Sequence, residues 1–176
     1  MPLVRYATGG YICTSPFPYD GIFRRAVLNF KFHNCGAYAE LLSHEMVRSI
    51  KDVYRDREFD LVTCVPMHKD TLRKRGYNQA ELLAKECARL LGIEYADLLA
   101  KTKKNKTQHS IKAAERAKNV IGVYSPIDKN LIKGKRILII DDIITTGSTL
   151  GECARILNKC KCGEICCCTL CTSLLI

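Results

Sequence analysis

Tryptophan is missing from this sequence, and so is any apolar run approaching the ~20 residues that cross a bilayer. The opening MPLVRYATGG has no apolar centre of the kind a secretory signal carries. There is no internal repeat, no Gly/Ser-rich linker and no low-complexity tract apart from cysteines crowded near the end. These absences argue against a membrane-spanning or exported chain, and the expectation is a soluble, cytoplasmic protein. Eleven cysteines are many, but the count is odd and a chain this long needs no disulfide staples. Reduced thiols are expected, with Cys13, Cys35, Cys64 and Cys87 as small buried hydrophobes.

Several chemistries are missing as well. Neither G-x-x-x-x-G-K-[ST] nor G-x-G-x-x-G occurs, which removes a P-loop nucleotidase and a dinucleotide-binding Rossmann unit. His44-Glu45-Met46-Val47-Arg48 stops one histidine short of a zinc-protease pair. The four histidines form no pattern with Ser or Cys that suggests a triad. The cluster Cys160, Cys162, Cys166, Cys167, Cys168 and Cys171 includes a CxxC. On a strand, however, Cys168 faces away from both Cys167 and Cys171, which works against tetrahedral closure around a metal.

What is present fits one globular domain. With 176 residues, 47% apolar and 26% charged, such a chain buries about 70% of its extended surface. The formal charge of +10 is uneven: residues 66–118 carry 13 basic and six acidic side chains, residues 134–176 five and four. Localised positive charge points to an anionic partner.

Hydrophobic patterning predicts strands over 11–14, 61–65, 136–140 and 165–169, with a short extended piece near 95–99. Helices are predicted from near Gly21, over 37–50, over 79–91 and after Gly147, with a modest one around 112–119. The run Arg136-Ile137-Leu138-Ile139-Ile140 is continuously apolar after its first residue, as in a strand covered on both faces. Strands alternating with helices argue for a parallel α/β sheet.

The chemistry concentrates after that run. Asp141 and Asp142 follow it, at the edge where open α/β sheets bind ligands. Gly147 allows a turn with φ > 0, in which backbone N–H groups converge on an anion. The hydroxyls of Thr145, Thr146, Ser148 and Thr149, and the start of a helix, add donors. A phosphate cradle beside two carboxylates suits a ribose 5-phosphate, its vicinal diol donating to the acids. A pyrophosphate on the same sugar needs Mg²⁺ and basic residues, which segments 69–75 and 101–118 can supply. A Walker B reading lacks its P-loop, and a receiver domain needs more chain after the acidic pair. A plain N-cap and a Thr/Ser-rich turn explain each part but not their joint order.

The stretch Ile137-Leu138-Ile139-Ile140-Asp141-Asp142-Ile143-Ile144-Thr145-Thr146-Gly147-Ser148-Thr149 resembles the signature with which type I phosphoribosyltransferases bind 5-phosphoribosyl-1-pyrophosphate (PRPP). More narrowly, the chain resembles the competence-associated ComF family. Val65-Pro66-Met67-His68 and Arg73-Lys74-Arg75-Gly76-Tyr77-Asn78-Gln79-Ala80 carry that likeness. So do Phe30-Lys31-Phe32 and the series Lys101, Thr107-Gln108, Arg116, Asn119 and Gly122.

The resemblance implies an α/β fold with a mainly parallel central sheet flanked by helices. One domain would span 1–176, with a small N-terminal hood over about 1–50 and a core over about 60–172. It implies that Asp141 and Asp142 are the catalytic pair, holding the ribose hydroxyls directly or through Mg²⁺. Thr145, Thr146, Gly147, Ser148 and Thr149 would hold the 5′-phosphate. Met67, His68 and Lys69, with Arg73 and Arg75, would meet pyrophosphate, and Lys101, Lys103, Lys104 and Lys106 would belong to a lid loop. Mg²⁺ is the implied cofactor, carried by PRPP rather than by a protein cage. ComF proteins commonly begin with a zinc module of two CxxC pairs, whereas only the isolated Cys13 and Cys35 stand early in this sequence. Absence of that module, by loss or by truncation, is therefore expected.

The leading expectation is a transferase that passes phosphoribosyl from PRPP to a nitrogen acceptor and releases pyrophosphate, linked to DNA uptake. Two alternatives stand beside it: a non-catalytic competence factor that binds single-stranded DNA or a helicase, and a PRPP-sensing regulator. The acceptor and any homo-oligomer are left open.

Overall fold

The computed structural model describes residues 1–32, 36–103 and 120–173. Its strands are β1 (Leu3–Ala7), β2 (Tyr11–Ser15), β3 (Phe17–Pro18), β4 (Leu61–Cys64), β5 (Glu94–Tyr95), β6 (Leu99–Lys101), β7 (Tyr124–Pro126), β8 (Arg136–Ile144) and β9 (Glu164–Thr172). Its helices are α1 (Gly21–Phe32), α2 (Gly36–Val53), α3 (Lys69–Arg75), α4 (Gln79–Leu91), α5 (Lys129–Ile132) and α6 (Ser148–Lys159). The main sheet runs β1-β2-β9-β8-β4-β5, with β3 also on β9. The β1–β2 pair is antiparallel and the other pairings of this sheet are parallel. Strands β6 and β7 form a separate antiparallel pair.

The continuous apolar run of β8 is explained by what covers it. Ile137 and Ile139 pack with Leu150, Cys153 and Leu157 of α6. Leu138 and Ile140 pack on the opposite face with Met46 and Ile50 of α2 and Leu83, Ala84 and Cys87 of α4. All four strand residues are fully buried, each gaining about 1.5–3 kcal/mol over an exposed position. On β9, Cys166 and Cys168 join the α2/α4 face and Cys167 the α6 face, each as a small apolar residue. Burial pushes the Cys167 and Cys168 thiols well up, and those of Cys13, Cys64 and Cys87 to about 12. Among the described residues no three His, Cys, Asp or Glu side chains are grouped to hold a metal. Nor is any helix there long and apolar enough to cross a membrane.

The structure departs from the sequence patterning in two places that matter for function. Strand β8 continues past Ile140 to Ile144, because β9 runs beside it to Thr172 and pairs Asp141 with Thr169 and Ile143 with Cys171. Segment 69–75, expected only as a source of basic side chains, is helix α3. Gly76, at φ 85°, closes that helix in the left-handed region, with its N–H on the Leu72 carbonyl. The helix expected around 112–119 lies outside the described residues. Residues 1–53 contribute strands β1, β2 and β3 to the main sheet and helices α1 and α2 to its α4 side.

The connections locate a crevice. Unit β4–α4–β5 carries its helix on one face of the sheet, and β8–α6–β9 carries its helix on the other. Strands β4 and β8 are neighbours, and the chain leaves them in opposite directions. Their carboxyl ends therefore flank a topological switch point, where open α/β sheets bind ligands.

Candidate functional site

One wall of the crevice is the end of β8 and the turn into α6. Asp141 and Asp142 are both half-buried, and the Asp142 N–H donates to Asp141 Oδ1 at 2.8 Å. As consecutive strand residues, the two carboxylates leave the backbone on opposite sides. The charge of Asp141 is felt by Cys153, Tyr124 and Lys101, on the α6 face. Asp141 and residues 143–150 line a cavity of about 30 Å³. Across this turn the hydroxyls of Thr146 and Ser148 satisfy each other at 2.8 Å. Either can swing to donate to an oxyanion instead. Gly147 caps α6 with φ 74°. A Cβ there would also meet the Ala7 Cα at 2.7 Å, so both torsion and space demand glycine. The Thr8 N–H donates to the Gly147 carbonyl at 3.2 Å, which ties the β1–β2 turn against the cup. That tie has no local sequence signal, since the partners are 139 residues apart.

The facing wall follows β4. Pro66, Met67 and His68 are half-buried and Lys69 is exposed. His68 caps α3, its Nδ1 accepting the Asp70 N–H at 3.2 Å, which leaves the ring proton of the neutral imidazole on Nε2. Arg73 is exposed on α3, whereas Arg75 donates to Gln79 Oε1 at 2.9 Å. The Tyr77 hydroxyl donates to the Phe30 carbonyl at 2.5 Å, and buried Asn78 links α4 to the end of β4. Tyr77, Asn78 and Gln79 thus build the wall, and Arg75 is held against it through Gln79.

Strands β6 and β7 bracket the segment expected as a lid. Lys101 lies on β6 itself, paired in register with Tyr124, with its Nζ 5.5 Å from that ring's centroid. Burial pushes its ammonium pKa down, against the opposing pull of the Asp141 carboxylate. Lys103 is exposed, and Lys104 and Lys106 lie outside the described residues, as do Gln108, Arg116 and Asn119. Where the chain returns, the Gly122 N–H donates to Glu152 Oε1 at 3.0 Å. Two hydrogen bonds from Arg155 hold the buried Glu152 carboxyl below its ordinary range. The sequence marks Glu152 only by its i, i+3 spacing before Arg155, and its bond to Gly122 arises in the fold.

Among the described residues, the basic side chains between 66 and 103 do not form one surface. Lys85 and Arg89 sit along α4 and are matched by Glu81 and Glu86, while the cations of α3 stand beside the crevice.

Comparison with known proteins gives a consistent pattern. Residues 78–174 match the model of the phosphoribosyl transferase domain. Competence protein F of Haemophilus influenzae is 31% identical over 144 residues, 79% of this chain and 63% of that protein. Competence protein ComFC of Bacillus subtilis is 31% identical over 152 residues, 86% of this chain and 60% of that protein. DNA utilization protein YhgH of Escherichia coli is 30% identical over 101 residues, 57% and 44% of the two chains. The chain therefore spans less than two thirds of the length of these curated relatives. Among solved structures, glutamine PRPP amidotransferase from B. subtilis superposes with a TM-score of 0.54 at 18% identity, covering 80% of this chain and 30% of that one. That likeness carries the fold.

Proposed function

Since the chain belongs to the phosphoribosyl transferase domain family, as a ComF-type member, we propose that it binds PRPP with Mg²⁺. It then transfers the phosphoribosyl group to a nitrogen nucleophile and releases pyrophosphate. The observation that carries this reading is the Gly147 turn: a ring of hydroxyls and helix-start N–H groups beside two carboxylates at the switch point. Thr145, Thr146, Ser148 and Thr149, with the N–H groups of the turn, hold the 5′-phosphate. Asp141 and Asp142 accept from ribose hydroxyls. Lys101, fixed on β6, and the cations of α3 lower the cost of negative charge gathering on the leaving pyrophosphate.

The donor set also fits Mg²⁺, a hard ion that takes one or two carboxylates and completes its shell with substrate oxygens and water. With the two carboxylates on opposite sides of the strand, one of them would meet the ion, and substrate oxygens and water would complete its shell. When bound, the ion supplies further charge neutralisation at pyrophosphate. The names of the relatives concern competence and DNA utilization, and a link to DNA uptake is part of the same proposal.

Thermal unfolding with and without Mg²⁺-PRPP, on the wild type and on Asp142→Asn, tests the reading. Ligand at 100 times its Kd stabilises by ~2.7 kcal/mol, about 5–10 °C for a chain of this size. A shift seen in the wild type and lost in the variant supports the site. No shift at millimolar PRPP overturns it.

A further inference from the structure

We propose that the edge of the sheet opposite the crevice is a second anion-binding surface, one that engages the phosphodiester backbone of nucleic acid without reading its sequence. It stands apart from the PRPP reading and shares no residue with it.

The surface is assembled from two loops and two helix ends. The Gly134 N–H donates to the Lys161 carbonyl at 2.8 Å, and the Gly163 N–H donates to the Lys135 carbonyl at 2.8 Å. These bonds fasten the α5–β8 loop to the α6–β9 loop at the amino ends of β8 and β9. Around that junction stand Lys129 and Lys133, one turn apart across α5, then Lys135, and Lys159 and Lys161 at the end of α6. All five are exposed. None forms an ion pair with a described residue.

Nearby carboxylates are already engaged. Asp60 and Glu58 are held by Arg136, Glu164 by Arg57, and Glu152 by Arg155. Lys135 and Lys159 add only their fields, at Asp60 and Glu152. Asp128 caps α5, its Oδ1 accepting the Asn130 N–H at 2.8 Å. Arg136 covers only one of Asp60 and Glu58, and Asp128 has no cation among the described residues, so two of the five lysine charges are offset and about three remain as a net positive field.

A helix dipole accounts for Lys159 and Lys161, but not for the three lysines contributed by the other loop. Lys161 is also the one described non-glycine residue with positive φ, at 61°, where glycine or asparagine is the less strained choice. A single small anion calls for donors converging in a recess. Five exposed ammonium groups spread over loop and helix ends instead suit repeated phosphates. Lys129, Lys133 and Lys135 lie more than twenty residues before Lys159 and Lys161 in the sequence, and the backbone bonds between the two loops bring the groups together.

The test is fluorescence anisotropy with a labelled 30-nucleotide oligothymidylate across a salt series. Compared are the wild type, a variant carrying Lys133→Gln, Lys135→Gln, Lys159→Gln and Lys161→Gln, and an equal-charge control carrying Arg24→Gln, Arg25→Gln, Lys51→Gln and Arg55→Gln. Each lost phosphate contact reduces the slope of log K against log salt by about 0.7. The first variant should lose about 2–3 in slope and at least tenfold in affinity near 100 mM salt, and the control no more than about threefold. Saturating Mg²⁺-PRPP should leave wild-type affinity within about twofold. Equal losses in both variants, displacement by PRPP, or no wild-type binding each overturn the proposal. Should the fourfold variant fail to fold, Lys133→Gln with Lys135→Gln carries the test, with about 1.4 lost in slope. PRPP stabilisation in the thermal experiment is an independent result, so either proposal can fail alone.

Discussion

The side-chain amide of Asn78 donates to the carbonyl of Val65 at 3.1 Å, while its oxygen accepts the Ala80 N–H at 3.2 Å. One buried side chain thus caps α4 and pins the end of β4, from which Pro66, Met67 and His68 depart toward the crevice. Position 78 acts on the site through backbone geometry.

Asn78→Ala should therefore cost about 2–4 kcal/mol in urea unfolding, the sum of a lost cap and an orphaned buried carbonyl. Asn78→Asp keeps the cap, because aspartate caps equally well, but it sets a buried carboxylate against the Val65 carbonyl. It should destabilise at least as much as alanine. An aspartate variant as stable as the wild type would leave the cap as the whole role.

Gly151→Ala sets helix propensity against space. Alanine gains about 1 kcal/mol over glycine inside a helix, but a Cβ at 151 would lie 2.3 Å from the Thr8 carbonyl oxygen. Backbone cannot yield cheaply, so a net loss of about 1–3 kcal/mol is expected, a fall of several degrees in Tm. Gly147→Ala should cost more, because left-handed torsion is added to the 2.7 Å approach. A rise in Tm for Gly151→Ala would mean that the β1–β2 turn does not rest on α6.

Asp60 makes two hydrogen bonds to the Arg136 side chain and one to its N–H, and these hold its carboxyl well below the usual range. A depressed carboxyl contributes stability above its unfolded value, near 4, and loses it as pH falls through the folded value. Asp60→Asn should lower Tm at pH 7, and the gap to the wild type should narrow steadily below about pH 4. A gap that stays constant to pH 2 would contradict this.

Lys161→Gly relieves a left-handed torsion at the end of α6. A gain of about 0.5–1.5 kcal/mol is expected, measured by thermal melting at moderate salt. Loss of stability would show that the lysine side chain holds the turn itself.

The sequence by itself determined the buried strand at Ile137 to Ile140, the bounds of α4 over 79–91, and the Thr/Ser-Gly turn after the acidic pair. Each is written locally, in periodicity, capping or glycine torsion. Strand β1, the extension of β8 to Ile144, the Thr8–Gly147 contact and the lysine junction were decided only by tertiary structure. Strand pairing and helix packing join residues far apart in the chain, and no local pattern records which distant backbone will supply a partner or which charges will share an edge. Even α3, a local element, has no apolar periodicity to mark it, and only the caps at His68 and Gly76 define its two ends.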